Sequence, residues 1–496
     1  MKENKFIKNI VFGFGGQIVV MVLGIIIPRI MITSYGSDVN GIVSTVTQIF
    51  SYMALLEAGI SQAAKNALYK HIANKDQNGI SYVVSLSRRY FRKVTMVYGI
   101  GVMLLSFITP ILLKSSVDKM TIFFIVFWEG LSGVISFYYI ETDIALLTAD
   151  GRGYVNNGIN VVNKTISYIV KIVMAYFGMN IALLQFVYFF ITIIKVVFYR
   201  GYVNKTYPWL RYDAAPKTAK LPDRNAYIVT EIAWTIFSST DMIVLSTFVS
   251  TQLASVYSIY NLVFANINNL LSTVFYSINY LLGQTYHENI KRYEKMHDAF
   301  NSLFFGSMTA LMCIAYILII PFIKLYTNGV TDVNYINQEL PLLFCLVQLF
   351  SWSRYVTGAL SSIAGYAKRV SYISVAEAII NITLSIALVH RYSIVGVLIA
   401  TVVALPLKVI YLTWLSDKKI LKRSYGKTII ILGVNVALFV VTVLLKDYMG
   451  IEPTSYGQFV VYGIVLTLVY LTLSTVLNSI ANPDVFVFVR NKLKRM

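Results

Sequence analysis

Residues 301–323, Asn301-Ser-Leu-Phe-Phe-Gly-Ser-Met-Thr-Ala-Leu-Met-Cys-Ile-Ala-Tyr-Ile-Leu-Ile-Ile-Pro-Phe-Ile323, carry no charged side chain and show no two-residue alternation. A stretch of about 20 mostly apolar residues crosses the roughly 30 Å of bilayer hydrocarbon as one helix. Lipid offers no hydrogen bonds to an open backbone, so a helix is the form such a stretch must take. Outward from it, comparable stretches fall near 10–33, 41–64, 92–113, 121–147, 155–178, 181–199, 227–249, 253–282, 341–364, 371–389, 393–415, 428–446 and 457–477. The sequence therefore predicts an all-α integral membrane protein with about fourteen transmembrane helices. Composition agrees, with 57% hydrophobic and 13% charged residues and a mean hydropathy of +0.66. The first stretch is too long for a signal-peptide core and lacks a small-residue cleavage site, so it is expected to stay as helix 1.

A formal charge of +19 would suit a nucleic-acid binder, but the placement of the cations argues otherwise. With the N-terminus in the cytoplasm, 31 Lys and Arg fall in inside segments and 5 in outside segments. That asymmetry follows the positive-inside rule and places both termini in the cytoplasm of a multi-pass bacterial plasma-membrane protein. The expected electrostatic partners are anionic membrane lipids, and no nucleic acid is expected. The two cysteines, Cys313 and Cys345, both sit in predicted spans and read as packing residues.

Pro208, Pro216 and Pro222 mark the longest inside connection as a linker. The expected organisation is an N-terminal lobe at 1–200 (helices 1–6), a cytoplasmic linker at 201–226, a C-terminal lobe at 227–416 (helices 7–12), and helices 13 and 14 with a basic tail at 417–496. Two echoes support two six-helix lobes. A basic amphipathic segment follows the second helix of each, at 75–93 and 287–298, and Ala145 to Gly151 matches Ala359 to Gly365 at the close of the fourth.

Apart from Arg92, Lys93 and Lys446 at span termini, thirteen ionisable residues fall inside the predicted spans: Arg29, Lys164, Lys171, Lys195, Arg354, Lys408, Glu57, Glu129, Glu141, Asp143, Glu231, Asp241 and Glu377. Facing all of them to lipid would cost on the order of 30 kcal/mol, so most must face protein or a wet cavity. Lys195, Glu141, Asp143 and Lys408 lie near span ends and can reach the interface by snorkelling. Polar residues recur at helical spacing in helix 5 (Asn160, Lys164, Tyr168, Lys171), helix 7 (Glu231, Thr235, Ser238, Asp241), helix 8 (Asn261, Asn268, Ser272, Tyr276) and around Arg354 in helix 10. The substrate-binding candidates are Arg29, Lys171, Arg354, Asn261, Asn268 and Tyr276. Glu57, Glu231 and Asp241 are expected to pair with the cations or to bind a coupling ion, H+ or Na+. Among motifs of known chemistry, no phosphate-cradling glycine loop, HExxH or His/Cys cluster occurs, so no enzyme activity and no cofactor are expected.

Pro28-Arg29 with Tyr35-Gly36, Leu55-Leu56-Glu57-Ala58-Gly59-Ile60 with Ala67-Leu68-Tyr69-Lys70, Tyr207-Pro208-Trp209-Leu210, and Ser239-Thr240-Asp241-Met242-Ile243-Val244-Leu245 together resemble Wzx-type polysaccharide flippases. These belong to the MOP superfamily with MurJ and the MATE exporters. The resemblance implies two six-helix lobes around a central cationic cavity, two appended helices, and transport of undecaprenyl-diphosphate-linked oligosaccharide from the inner to the outer leaflet for capsule, exopolysaccharide or O-antigen synthesis. It also implies a functional arginine at Arg29 and assembly partners such as a polysaccharide polymerase. Two other readings compete: a MATE-like exporter of small cationic molecules, whose cavity would favour carboxylates, and an integral-membrane polysaccharide enzyme, which would need a larger external loop than 324–340.

Overall fold

The computed structural model describes residues 2–54, 60–215 and 239–485, and all regular structure among them is helical. Among the described residues, eight helices are long and apolar enough to cross a membrane on length and composition. Where they fall among the described residues, the expected spans appear as helices, several of them joined or broken; most of the expected span 227–249 lies outside the described residues. Helix α1 (Lys2–Ala54) holds the first two, bent at Gly36, whose φ of 84° is a conformation glycine tolerates. It is followed by α2 (Ile60–Ala73), α3 (Gln77–Leu112), α4 (Lys119–Tyr139), α5 (Glu141–Ala149), α6 (Gly153–Tyr176) and α7 (Ile181–Thr206). Next come α8, described over 239–248, then α9 (Thr251–Glu288), α10 (Ile290–Tyr326), α11 (Leu340–Ser353), α12 (Tyr355–Ile363), α13 (Ala367–Trp414), α14 (Gly426–Met449) and α15 (Tyr456–Ala481). Two expected spans merge in α13 across a break at Ser393 (φ 50°, ψ −127°).

The chain separates into two compact units, Met1–Ser255 and Val256–Met496. In the first, Ile27, Ile42 and Val46 of α1 pack with Ile122 and Ile125 of α4, Met174 of α6 and Leu184 of α7. In the second, Phe344 of α11 stacks on Tyr260 and Phe264 of α9 at 5.9 and 5.2 Å. Outward residues of α15 such as Leu468 (65% exposed) and Ile480 (74%) are apolar, as a lipid-facing surface requires.

The internal repeat is visible in the backbone of each unit. The fourth span of the first is broken after Tyr139, and that of the second at Arg354. Each break is followed by a nine-residue helix, α5 or α12. Gly151 and Gly365 then take positive φ of 70° and 81°, the conformation that ends a helix without a Cβ clash. The amphipathic segments at 75–93 and 287–298 open the long helices α3 and α10. Their N-caps are Asp76, which accepts from Gly79 N at 2.9 Å, and Asn289, which accepts from Arg292 N at 3.0 Å.

The start of the expected linker is ordered. Residues 201–206 complete α7, and 211–215 lie along α3, where Ser81 accepts from Arg211 N (3.3 Å), Ser85 accepts from Ala215 N (3.2 Å) and Arg89 donates to Ala215 O (2.6 Å). Tyr207 and the Asp150-Gly151-Arg152 turn form a clasp at the same end. Tyr207 Oη and Arg152 Nε both donate to Asp150 Oδ2, at 2.7 and 2.6 Å. Burial, reinforced by the Asp150 carboxylate, raises the Tyr207 phenol above its ordinary value.

Candidate functional site

The second unit contains a buried ionic centre. α11 ends at Ser353, and the break before α12 turns Arg354 inward with only 6% exposure. Its Nη1 donates to Glu377 Oε1, and Lys408 Nζ lies 3.8 Å from Glu377 Oε2. Both Glu377 and Lys408 project from α13, on either side of the Ser393 break. Among the described residues, the cluster sets two cations against one carboxylate. Asn381, one turn along from Glu377, donates from Nδ2 to Thr401 Oγ1 at 2.8 Å.

Beside this centre, Trp352 Nε1 donates to Asn268 Oδ1 at 2.7 Å, and the Trp352 ring stacks on Tyr355 at 4.0 Å. The expected residues Asn268 and Arg354 are thus brought to the same helix break. Asn261 lies half-buried on the same helix as Asn268, and Tyr276 follows on α9.

Among the described residues the carboxylate bonded to Arg354 is Glu377, a partner that the sequence reading did not offer beside Glu57, Glu231 and Asp241. Glu377 opens a polar stripe with Asn381 and Ser385 on α13, a helix so apolar that three polar residues do not stand out in the sequence. Lys408 and Asp143 also find protein partners in place of the interface, Lys408 at Glu377 and Asp143 at Arg200 (3.7 Å).

In the first unit, Lys171 on α6 sits 4.7 Å above the Tyr188 ring of α7 and interacts electrostatically with Glu129 of α4. This charge-balanced group lies inside the bundle of α1, α4, α6 and α7. Arg29 is half-buried on α1, one residue after Pro28, and its carbonyl accepts the Thr33 hydroxyl at 2.9 Å. Asp241 is buried on α8 beside the Thr240–Tyr52 hydroxyl pair. Glu57 and Glu231 lie outside the described residues.

The same unit holds a polar zip that sequence reading missed. The second half of α1 runs antiparallel to α8 and the start of α9, with Asn40 donating to Ser255 (2.8 Å), Thr45 bonded to Ser246, and Tyr52 bonded to Thr240. Asp38 accepts from Ser115 Oγ (2.9 Å), Ser116 N (2.7 Å), Ser116 Oγ (2.6 Å) and Thr251. A Cβ on Gly41 would lie 1.7 Å from the Thr251 carbonyl oxygen, so the two backbones touch there. Asn, Ser, Thr and small residues are the usual means of joining helices where hydrophobic association is absent.

No protein-family model and no curated protein matches the chain. Solved structures do. It is similar to the lipid II flippase MurJ in an inward closed conformation, with a TM-score of 0.69 and 13% identity over 94% of this chain and 98% of that one. It is also similar to an inward-facing MATE-family multidrug transporter of the MOP superfamily, with a TM-score of 0.66 and 12% identity over 79% of this chain and 93% of that one. The MATE multidrug transporter DinF-BH aligns with a TM-score of 0.57 and 14% identity, over 84% and 94% of the two chains. The chain therefore has the fold of the MOP membrane transporters.

Proposed function

We propose that the protein is a flippase for oligosaccharides linked to an undecaprenyl diphosphate, moving them from the inner to the outer leaflet by opening alternately to the two sides of the membrane. The observation that carries this reading is the pair of cations, Arg354 and Lys408, set around Glu377. A diphosphate cannot shed its hydration in hydrocarbon unless fixed cations replace it, and an arginine fork suits phosphate oxygens. Glu377 holds the fork in place beside the second cation, Lys408. Trp352, Tyr355 and Asn268 beside it offer ring faces and an amide for sugars. An exporter of cationic molecules would favour the opposite charge balance. The MOP fold supports a transporter in general and leaves the substrate to this chemistry.

A coupling ion, H+ or Na+, fits the buried carboxylates, Asp241 foremost among the described residues. The protein is placed in the bacterial plasma membrane with both termini inside, and a polysaccharide polymerase is the natural consumer of its product.

The test is flipping of lipid-linked oligosaccharide in reconstituted vesicles, read by a membrane-impermeant reagent that modifies sugars on one face. Flipping by the wild type and its loss in Arg354→Gln are expected. Failure to flip, combined with uptake of cationic dyes, would replace this reading with the MATE-like one.

A further inference from the structure

A groove of 270 Å³ runs between α6 and α7 on the first unit, lined on one side by Val155, Gly158, Val162 and Ile166 and on the other by Ile194 and Phe198, with Lys195 at its edge. Val162, Ile166, Ile194 and Phe198 are 38–55% exposed, so the groove opens outward. Both helices are predicted spans, and an outward apolar groove on them meets lipid tails. Along α6 the lining from 155 to 166 covers about 16 Å at 1.5 Å per residue. With a methylene taken as about the size of a water, roughly 30 Å³, the groove holds about nine chain carbons. It suits part of one acyl chain.

The charges around it are unbalanced. Lys195 and Lys65 both interact electrostatically with Glu141, and Lys164 interacts with Lys195. Lys195 and Lys65 thus share one carboxylate, and Lys164 adds a third cation beside Lys195. Lys164 is exposed on a lipid-facing helix, and among the described residues no carboxylate lies within ion-pair distance of it. An ammonium there needs an anion that the described residues do not provide. Lys164 leans toward the N-terminal end of α6, where Arg152 and the Tyr207 clasp lie, because helical side chains point back along the axis. That end is the one the lysine and arginine bias assigns to the cytoplasm.

We propose that the α6–α7 groove is a binding site for an anionic phospholipid of the inner leaflet, with the phosphate held by Lys164 and Lys195 reaching back toward the cytoplasmic end of the groove and one acyl chain laid inward from there along Val162 and Ile166. The groove is open to the bilayer, so bulk lipid is its natural occupant by mass action. The two lysines select the anionic fraction. The site is separate from the Arg354 centre and does not depend on what the protein transports.

Gly158 gives a clean probe, because a Cβ there would meet nothing within 4 Å. Gly158→Leu fills the groove from its floor without a clash, and it exchanges a poor helix former for a good one. Retention of dioleoylphosphatidylglycerol and dioleoylphosphatidylcholine by the full-length protein is measured by native mass spectrometry across a lipid titration. The wild type is expected to bind the first phosphatidylglycerol more tightly than phosphatidylcholine. At about fivefold per lysine near a charged membrane surface, Lys164→Gln with Lys195→Gln should weaken phosphatidylglycerol about 25-fold and leave phosphatidylcholine unchanged. Gly158→Leu should weaken both lipids. Unchanged phosphatidylglycerol retention in both the double lysine variant and Gly158→Leu overturns the proposal. So does displacement of phosphatidylglycerol by equimolar undecaprenyl phosphate, which would assign the groove to the polyprenyl carrier.

Discussion

Among the described residues Glu377 is the carboxylate that lies between Arg354 and Lys408, so Glu377→Gln removes the counter-charge that both cations share. Lys408 Nζ and Glu377 Oε2 are 3.8 Å apart. At an effective dielectric of about 20, that contact alone is worth about 4 kcal/mol before desolvation is counted. Glutamine keeps the volume and one acceptor but leaves Arg354 and Lys408 as neighbouring like charges. Stripping one partner from a buried pair typically costs about 3–5 kcal/mol. For a unit of this size each kcal/mol lowers Tm by about 2–4 °C, so a fall of roughly 10 °C is expected. Cys313 and Cys345 are both fully buried in the same unit and report on it directly. A fluorogenic maleimide that reacts as they become exposed gives the melting curve in detergent. Arg354→Met and Lys408→Met combined with Glu377→Gln remove both orphaned cations and should recover most of the loss, because apolar replacement of buried ionic groups is often close to neutral. A Glu377→Gln protein melting within about 1 °C of the wild type would show that the centre is well hydrated and refute the reasoning.

Gly41→Ala should force α1 away from the start of α9, since its Cβ falls 1.7 Å from a backbone oxygen that cannot rotate aside. A loss of about 1–3 kcal/mol is expected in thermal unfolding, and wild-type stability would mean the helices separate freely. Lys171→Gln alone and Glu129→Gln alone should each destabilise the first unit more than the two together, and a double-mutant cycle on Tm with purely additive effects would break the pairing. The Asp76 carboxyl is held below its usual range by hydrogen bonds from Gly79 N and His71. Its capping contribution is therefore present above about pH 4 and lost as pH falls through its depressed folded value. Hydrogen exchange in the first turn of α3 should accelerate on acidification, and an Asp76→Ala protein should lack that acceleration.

The helices were legible because lipid leaves a chain few choices. Long uncharged runs such as 301–323 mark a helix whatever surrounds them. The repeat was legible at Gly151 and Gly365, where a glycine is needed to end a helix with positive φ. The partners of the buried charges were not. Arg354 and Glu377 are far enough apart in sequence that only the folding of α13 against α11 brings them together, and hydropathy has no information on that register. The zip from Asp38 to Tyr52 was missed for a related reason. Asn40, Thr45 and Ser246 are each unremarkable alone, and their meaning lies in an antiparallel pairing of helices distant in the chain. The Tyr207 and Asp150 motifs drew notice separately, and only the fold shows that they are two halves of one clasp.

Helices α14 and α15 are joined by a reciprocal amide pair. Asn435 Nδ2 donates to Asn478 Oδ1 at 2.9 Å, and Asn478 Nδ2 donates back to Asn435 Oδ1 at 3.1 Å. Gly306 of α10 lies against it, where an added Cβ would come within 2.6 Å of the Asn478 amide. This arrangement has a consequence for biogenesis. As α14 leaves the translocon, the only bond its Asn435 amide can make within the helix is to the Ile431 carbonyl, at 2.8 Å. The side-chain oxygen must wait in lipid for α15. Insertion of α14 and α15 as a preformed hairpin removes that wait, and the hairpin then docks as one piece onto the glycine notch of an α10 made earlier. A nascent chain arrested after α14 should therefore be retained at the translocon longer than one arrested after α15.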